Sequence, residues 1–125
     1  KVVRQWGGRV VKHLGDGLML VFPSASAAVF AALDMQPTAP DPVRIRAGVH
    51  TGALVVTADD LIGNVVNIAA RVTADARGGE VLVTRQTLDA AGRLIGVRVY
   101  RGRRRAYKGV AGRVTVSRVE RVPGE

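Results

Sequence analysis

The sequence predicts an α+β domain with a largely antiparallel sheet, and three observations carry that reading. Two β-rich runs flank a Gly-Asp-Gly turn near the start. Two Ala/Val-rich segments have helical spacing. The last quarter of the chain reads as further strands around glycine turns. In chain order the elements run β-β-α-β-α-β-(α)-β-β, the pattern of helices packed on a mainly antiparallel sheet. At 125 residues the chain is long enough for one core, so residues 1–125 are read as a single domain.

Val10 to Phe22 reads as a hairpin of two runs, Arg9–Leu14 and Leu18–Phe22. The two-residue turn is assigned to Asp16-Gly17, because a type I′ turn needs positive φ at both central positions and Asp-Gly supplies it. Pro23-Ser24 ends the strand and offers a helix N-cap. Ser26 to Gln36 has Val29, Phe30 and Leu33 at helical spacing, and Pro37, Pro40 and Pro42 stop that helix. Val43 to Thr57 reads as one strand, with Ile45, Ala47 and Val49 alternating against Arg44, Arg46 and Gly48 and a bend at Thr51-Gly52. Asp59-Asp60 opens a loop into a second helix from about Gly63 to Ala76, ended by Gly78-Gly79. Glu80 to Thr84 is a short strand and Thr87 to Ala91 a helical turn. Val97 to Val119 reads as two strands joined around Lys108-Gly109 and Ala111-Gly112.

Composition narrows the function classes. Aromatics are 4% of residues, so Val, Leu, Ile and Ala must build the core. The absence of cysteine excludes disulfides and thiolate metal sites. No apolar run approaches the ~20 residues of a membrane span. The net charge of +9 is concentrated: Arg93 to Glu125 holds ten Lys/Arg against two Asp/Glu, a balance of +8. Such a run is ordinarily a solvated face, and its other reading is contact with phosphate or nucleic acid. Against nucleic acid stand the few aromatics for stacking and the lack of a binding motif.

Three stretches hold the candidate chemistry. Asp16 at a hairpin apex is ordinarily a turn former, but a carboxylate on a rigid turn also suits a hard cation such as Mg²⁺. Lys12 shares a strand face with Val10 and Leu14, which meets Met19 and Val21 across the hairpin. A lysine on that face needs a partner, a ligand or room to snorkel. On the second helix Asn64, Asn67, Arg71 and Asp75 form one polar stripe opposite Val65, Ile68, Ala69, Val72 and Ala76. Arg105-Ala106-Tyr107-Lys108-Gly109 places a cation at a turn.

Together these stretches resemble the class III adenylate/guanylate cyclase catalytic domain. Lys12 to Gly17 match its Lys-x-x-Gly-Asp-Gly hairpin, and Asp60, Gly63, Val66, Asn67, Ala69 and Arg71 match its Asp-x-x-Gly-x-x-Val-Asn-x-Ala-x-Arg pattern. His50-Thr51-Gly52, Gly79 to Val83 and Lys108 to Gly112 resemble its remaining segments. The resemblance implies a ferredoxin-like antiparallel sheet flanked by helices. It also implies conversion of ATP to 3′,5′-cyclic AMP and pyrophosphate by attack of the ribose 3′-oxygen on the α-phosphorus. By the same resemblance Asp16 is a metal ligand, while Lys12 and Asp60 recognise adenine, an adenylate-type choice. Asn67 orients the ribose, Arg71 stabilises charge on the α-phosphate, and Lys108 holds the terminal phosphates. Two Mg²⁺ or Mn²⁺ ions, a homodimer with shared sites and a cytoplasmic setting follow from it.

The family's first strand, with its second metal aspartate, has no counterpart here, so the 125-residue chain alone is expected to show little activity. A catalytically inactive dimerising or regulatory module, a guanylate cyclase, and a basic nucleic-acid-binding domain remain as alternatives.

Overall fold

The computed structural model describes residues 1–15 and 17–123. It opens with a single-turn helix, α1 (Val2–Gln5), which the sequence reading did not anticipate. The hairpin follows as β1 (Arg9–Leu14) and β2 (Gly17–Val21). Leu14 pairs with Gly17, so Gly17 belongs to the second strand and not to the turn expected at Asp16-Gly17. Gly15, at φ +57°, supplies the left-handed conformation that L side chains resist. Lys12 pairs with Met19 as expected, but Val10 pairs with Leu20 and not Val21. Val11 is the extra residue of a bulge, and it is buried while Lys12 is exposed.

Helix α2 (Ala25–Met35) starts where Ser24 accepts a hydrogen bond from the Ala27 amide at 3.1 Å, and it leads into a 3₁₀ turn at Gln36–Thr38. The single strand expected over Val43 to Thr57 is instead two short ones. These are β3 (Ala47–Val49) and β4 (Val55–Val56), the latter folded back on β5 (Leu61–Ile62). The physical reason lies at His50 and Thr51. Their side chains bond Thr84 and Thr87 at 2.7 and 3.0 Å, which turns the chain off the ladder. Helix α3 (Asn64–Asp75) follows, then β6 (Val81–Thr84), α4 (Arg85–Ala91), β7 (Val97–Val99), β8 (Arg103–Ala106) and β9 (Arg113–Arg121).

The main sheet has the order β3-β6-β9-β7, with β8 also on β9. Among the described strands only β3 and β6 run parallel. The two strands expected over Val97 to Val119 are three. β7 and β8 are successive pieces on one edge of β9, separated at Tyr100–Gly102. Gly102 sits where a Cβ would lie 2.9 Å from Thr115 Cγ2, so a side chain there would push Thr115 aside. The β1-β2 and β4-β5 pairs are separate two-stranded sheets.

Alternation along the central strands divides the core. Val81 and Val83 face α2 with Val29, Leu33, Val49 and Val119. Leu82 faces α3 with Val72, Ala76, Val114 and Val116. Helix α3 lies so close over β3 that a Cβ at Gly48 would collide with the Thr73 backbone. This packing fixes the exposed face of α3 relative to the sheet. The fold is the expected α+β arrangement of a largely antiparallel sheet flanked by helices.

Candidate active site

Lys12 leaves β1 on its solvent side, and Asp60 closes the turn between β4 and β5. Their charged atoms lie 3.7 Å apart, with 45% and 41% of the side chains exposed. Asp60 is held by its own turn: Oδ1 accepts the Leu61 amide at 2.8 Å, and the Thr57 amide bonds the Asp60 carbonyl at 2.9 Å. Arg9 reaches the carbonyls of Thr57 and Ala58 at 3.5 Å, so β1 meets this turn at two points. Two residues 48 apart in sequence are thus neighbours.

Asp60 lies just ahead of α3, whose N-cap is Gly63. One turn into that helix is Asn67, and one turn further Arg71; both are exposed. At 1.5 Å per residue they are about 6 Å apart along the axis. No hydrogen bond or ion pair engages either side chain among the described residues. The next residue of the stripe, Asp75, behaves differently. Its carboxylate accepts Arg105 Nε at 3.0 Å, Arg105 Nη2 at 3.2 Å and the Tyr107 hydroxyl at 2.8 Å.

Desolvation alone would raise the Asp75 pKa. The hydrogen bonds from Tyr107 and Arg105 and the nearby Arg105 and Arg103 charges outweigh it, and the carboxyl lies below its ordinary range. Burial, followed by the Asp75 contact, pushes Tyr107 up to about 12. Both shifts favour the ionised carboxylate and the protonated hydroxyl that make this contact. Lys108, next to Tyr107, stands exposed in the turn that follows β8.

The structure thus joins Lys12 to Asp60, sets Asn67 and Arg71 on one open helix face, and ties the Lys108 turn to the end of that helix. Asp16 lies outside the described residues. Among the described residues no three His, Cys, Asp or Glu side chains converge as a metal site. The expectation of two cations therefore stands on the resemblance, and no step below runs through one.

Sequence reasoning singled out Asp75 and the Arg105–Lys108 stretch separately but missed their junction. The available signal was a carboxylate in the last turn of a helix, where the macrodipole disfavours it unless cations compensate. A second junction was missed as well. Asp34 accepts Trp6 Nε1 at 2.9 Å and Arg121 at 2.8 Å, while Arg121 covers the Phe30 ring, which stacks on Trp6. Arg98, Arg105, Arg118 and Arg121 of the basic run thus have carboxylate partners.

Comparison with known proteins identifies the family. The family model "Adenylate and Guanylate cyclase catalytic domain" matches residues 2–117. The chain is 36% identical over 117 residues to a protein of Mycobacterium tuberculosis strain CDC 1551 named pH-sensitive adenylate cyclase, covering 89% of this chain and 30% of that protein. An uncharacterized protein of M. tuberculosis strain H37Rv is 40% identical over 91 residues, covering 70% of this chain and 24% of its own length. The chain thus spans about a third or less of the curated relatives it matches. Among solved structures, an adenylate/guanylate cyclase/hydrolase from Silicibacter pomeroyi superposes with TM-score 0.84 at 26% identity, covering 99% of this chain and 78% of the other. The adenylyl cyclase CyaB of P. aeruginosa shares the fold with TM-score 0.78 at 24% identity, covering 99% and 76%. The chain belongs to the adenylate and guanylate cyclase catalytic domain family.

Proposed function

We propose that this domain supplies the nucleotide-recognition side of an adenylate cyclase site, which forms cyclic AMP and pyrophosphate from ATP. The observation that carries the reading is the Lys12–Asp60 pair, exposed ahead of a helix whose free polar face bears Asn67 and Arg71. Adenine presents a ring-nitrogen acceptor beside an amino donor. A lysine donor beside a carboxylate acceptor complements that pattern. Guanine presents a carbonyl where adenine has the amino group, which sets two acceptors against each other. Asn67 then orients the ribose and Arg71 meets the charge that grows on the α-phosphate. Lys108 meets the terminal phosphates. Positioning and electrostatics supply most of the rate enhancement in such a site.

The site is an open surface, since Lys12, Asn67, Arg71 and Lys108 are exposed and Asp60 is half-buried. Around it the two small sheets leave Val10, Leu14, Leu18, Val55, Val56 and Ile62 at least 40% exposed. An apolar rim around a polar face favours cover by another protein surface. A homodimer in which a second copy closes the nucleotide follows from this and from the resemblance. No described helix is long and apolar enough to cross a membrane, and ATP as substrate fits a cytoplasmic setting.

Turnover tests the reading. The full-length protein, given ATP and GTP in parallel with Mg²⁺ or Mn²⁺, is expected to form cyclic AMP in preference to cyclic GMP. Preferential cyclic GMP formation would overturn the adenylate assignment. A folded protein that binds ATP without turning over either nucleotide would replace it with a non-catalytic dimerising module.

A further inference from the structure

We propose that Asp75 is a positioning residue for the phosphate end of the site, fixing the Tyr107–Val110 turn, and with it Lys108, against the helix that carries Arg71. The ligand named here rests on the cyclase reading above; the geometry does not. Asp75 ends α3 one turn beyond Arg71, and 19% of its side chain is exposed. A carboxylate at a helix C-terminus is electrostatically disfavoured, and a solubilising residue at this place would serve better as Lys or Arg. Asp75 is instead turned to the sheet, where it takes three hydrogen bonds from two residues of one strand end.

Those two residues lead directly into the turn. Arg105 is in β8 and Tyr107 follows it. The Val110 amide then closes the turn on the Tyr107 carbonyl at 3.1 Å, with Gly109 at φ +80°. Tyr107 and Val110 also pack on the cluster of Val72, Ala76 and Val114. The backbone on either side of Lys108 is therefore anchored, while its side chain is exposed and has no ion pair among the described residues. A lysine head group is a point charge on a flexible stem, so only its backbone can give it a defined position. Helix α3 itself is already held by Val72 and Ala76, so the three bonds act chiefly on the turn.

The test uses ATP and adenosine as probes, with amide hydrogen exchange at Lys108, Gly109 and Val110, in the full-length protein. Asp75→Ala should weaken ATP binding about tenfold, of the order set by hydrogen bonds to a charged group. It should leave adenosine binding unchanged, and it should add nothing further in a Lys108→Ala background. Exchange across the turn should quicken, and Asp75→Asn should restore part of the protection by still accepting the Tyr107 hydroxyl. Multiplicative losses in the double variant, or equal losses for adenosine, would overturn the positioning role. Unchanged exchange in Asp75→Ala would overturn it whatever the nucleotide does. If the unsubstituted protein binds neither probe, the cyclase reading fails, and the exchange result alone then decides for or against the anchored turn.

Discussion

The two ends of the candidate site are built differently. The Lys12–Asp60 end stands on two-stranded ribbons that are separate from the main sheet. Its ion pair is long, at 3.7 Å, and nearly half exposed. Such pairs contribute about 0–1 kcal/mol and are screened by salt. The Arg71–Lys108 end stands on α3 and the β8–β9 turn, packed on the core and joined by three hydrogen bonds at Asp75. Under the proposed adenylate cyclase reading, the contrast suits the two parts of ATP. A triphosphate needs charges fixed before it arrives, because preorganised charge is what stabilises a developing anion. A base is recognised by groups that are loosely paired with each other until the ligand replaces that pairing.

Substitutions at the two ends should therefore separate catalysis, stability and selectivity. The largest expected effect is on rate. In the full-length enzyme Arg71→Ala should lower kcat by about 10²–10³ with a much smaller change in KM, because its contact strengthens as charge builds in the transition state. Steady-state kinetics check this, and an equal loss through KM alone would reduce Arg71 to ground-state binding.

Next in size is a stability contrast between glycines. Gly48→Ala forces a Cβ into the Thr73 backbone and should cost about 1–3 kcal/mol, as overpacking does. Gly15→Ala meets nothing within 4 Å and should cost about 1–2 kcal/mol for its φ of +57° alone. Thermal melts should rank Gly48→Ala as the lower Tm, and the opposite order would show that α3 does not sit tightly on β3.

A smaller effect follows pH. Burial holds the His50 imidazole below its ordinary 6.5, while Nδ1 bonds Thr84. The unfolded chain takes up this proton first, so the stability His50 provides is present above pH 6.5 and is lost as pH falls below it. Denaturant midpoints between about pH 7 and about pH 5 should fall more steeply in the unsubstituted protein than in His50→Gln. Parallel slopes would remove His50 as the cause. The smallest effect is on the stability of Lys12→Ala, which should differ from the parent by less than about 1 kcal/mol.

Much of this was legible beforehand, for identifiable reasons. Helix α3 was readable to within a residue because Val65, Ile68 and Val72 repeat at its period and Gly78-Gly79 stop it. Lys12 and Asp60, 48 residues apart, were brought together only by the family resemblance. The strand break after Val49 was not legible, because it depends on His50 and Thr51 finding Thr84 and Thr87 some 35 residues later. The Val11 bulge escaped for the same reason. Each is decided by a tertiary neighbour, whereas local alternation and polar spacing alone point elsewhere.

The central claim is that Lys12 and Asp60 read the base. Its most direct test is equilibrium binding of ATP and GTP to the full-length protein and to its Lys12→Ala and Asp60→Ala variants. The unsubstituted protein should prefer ATP, and both variants should lose most of that preference while keeping their folded stability. Undiminished preference for ATP in both variants would contradict the claim and move base recognition elsewhere on the surface.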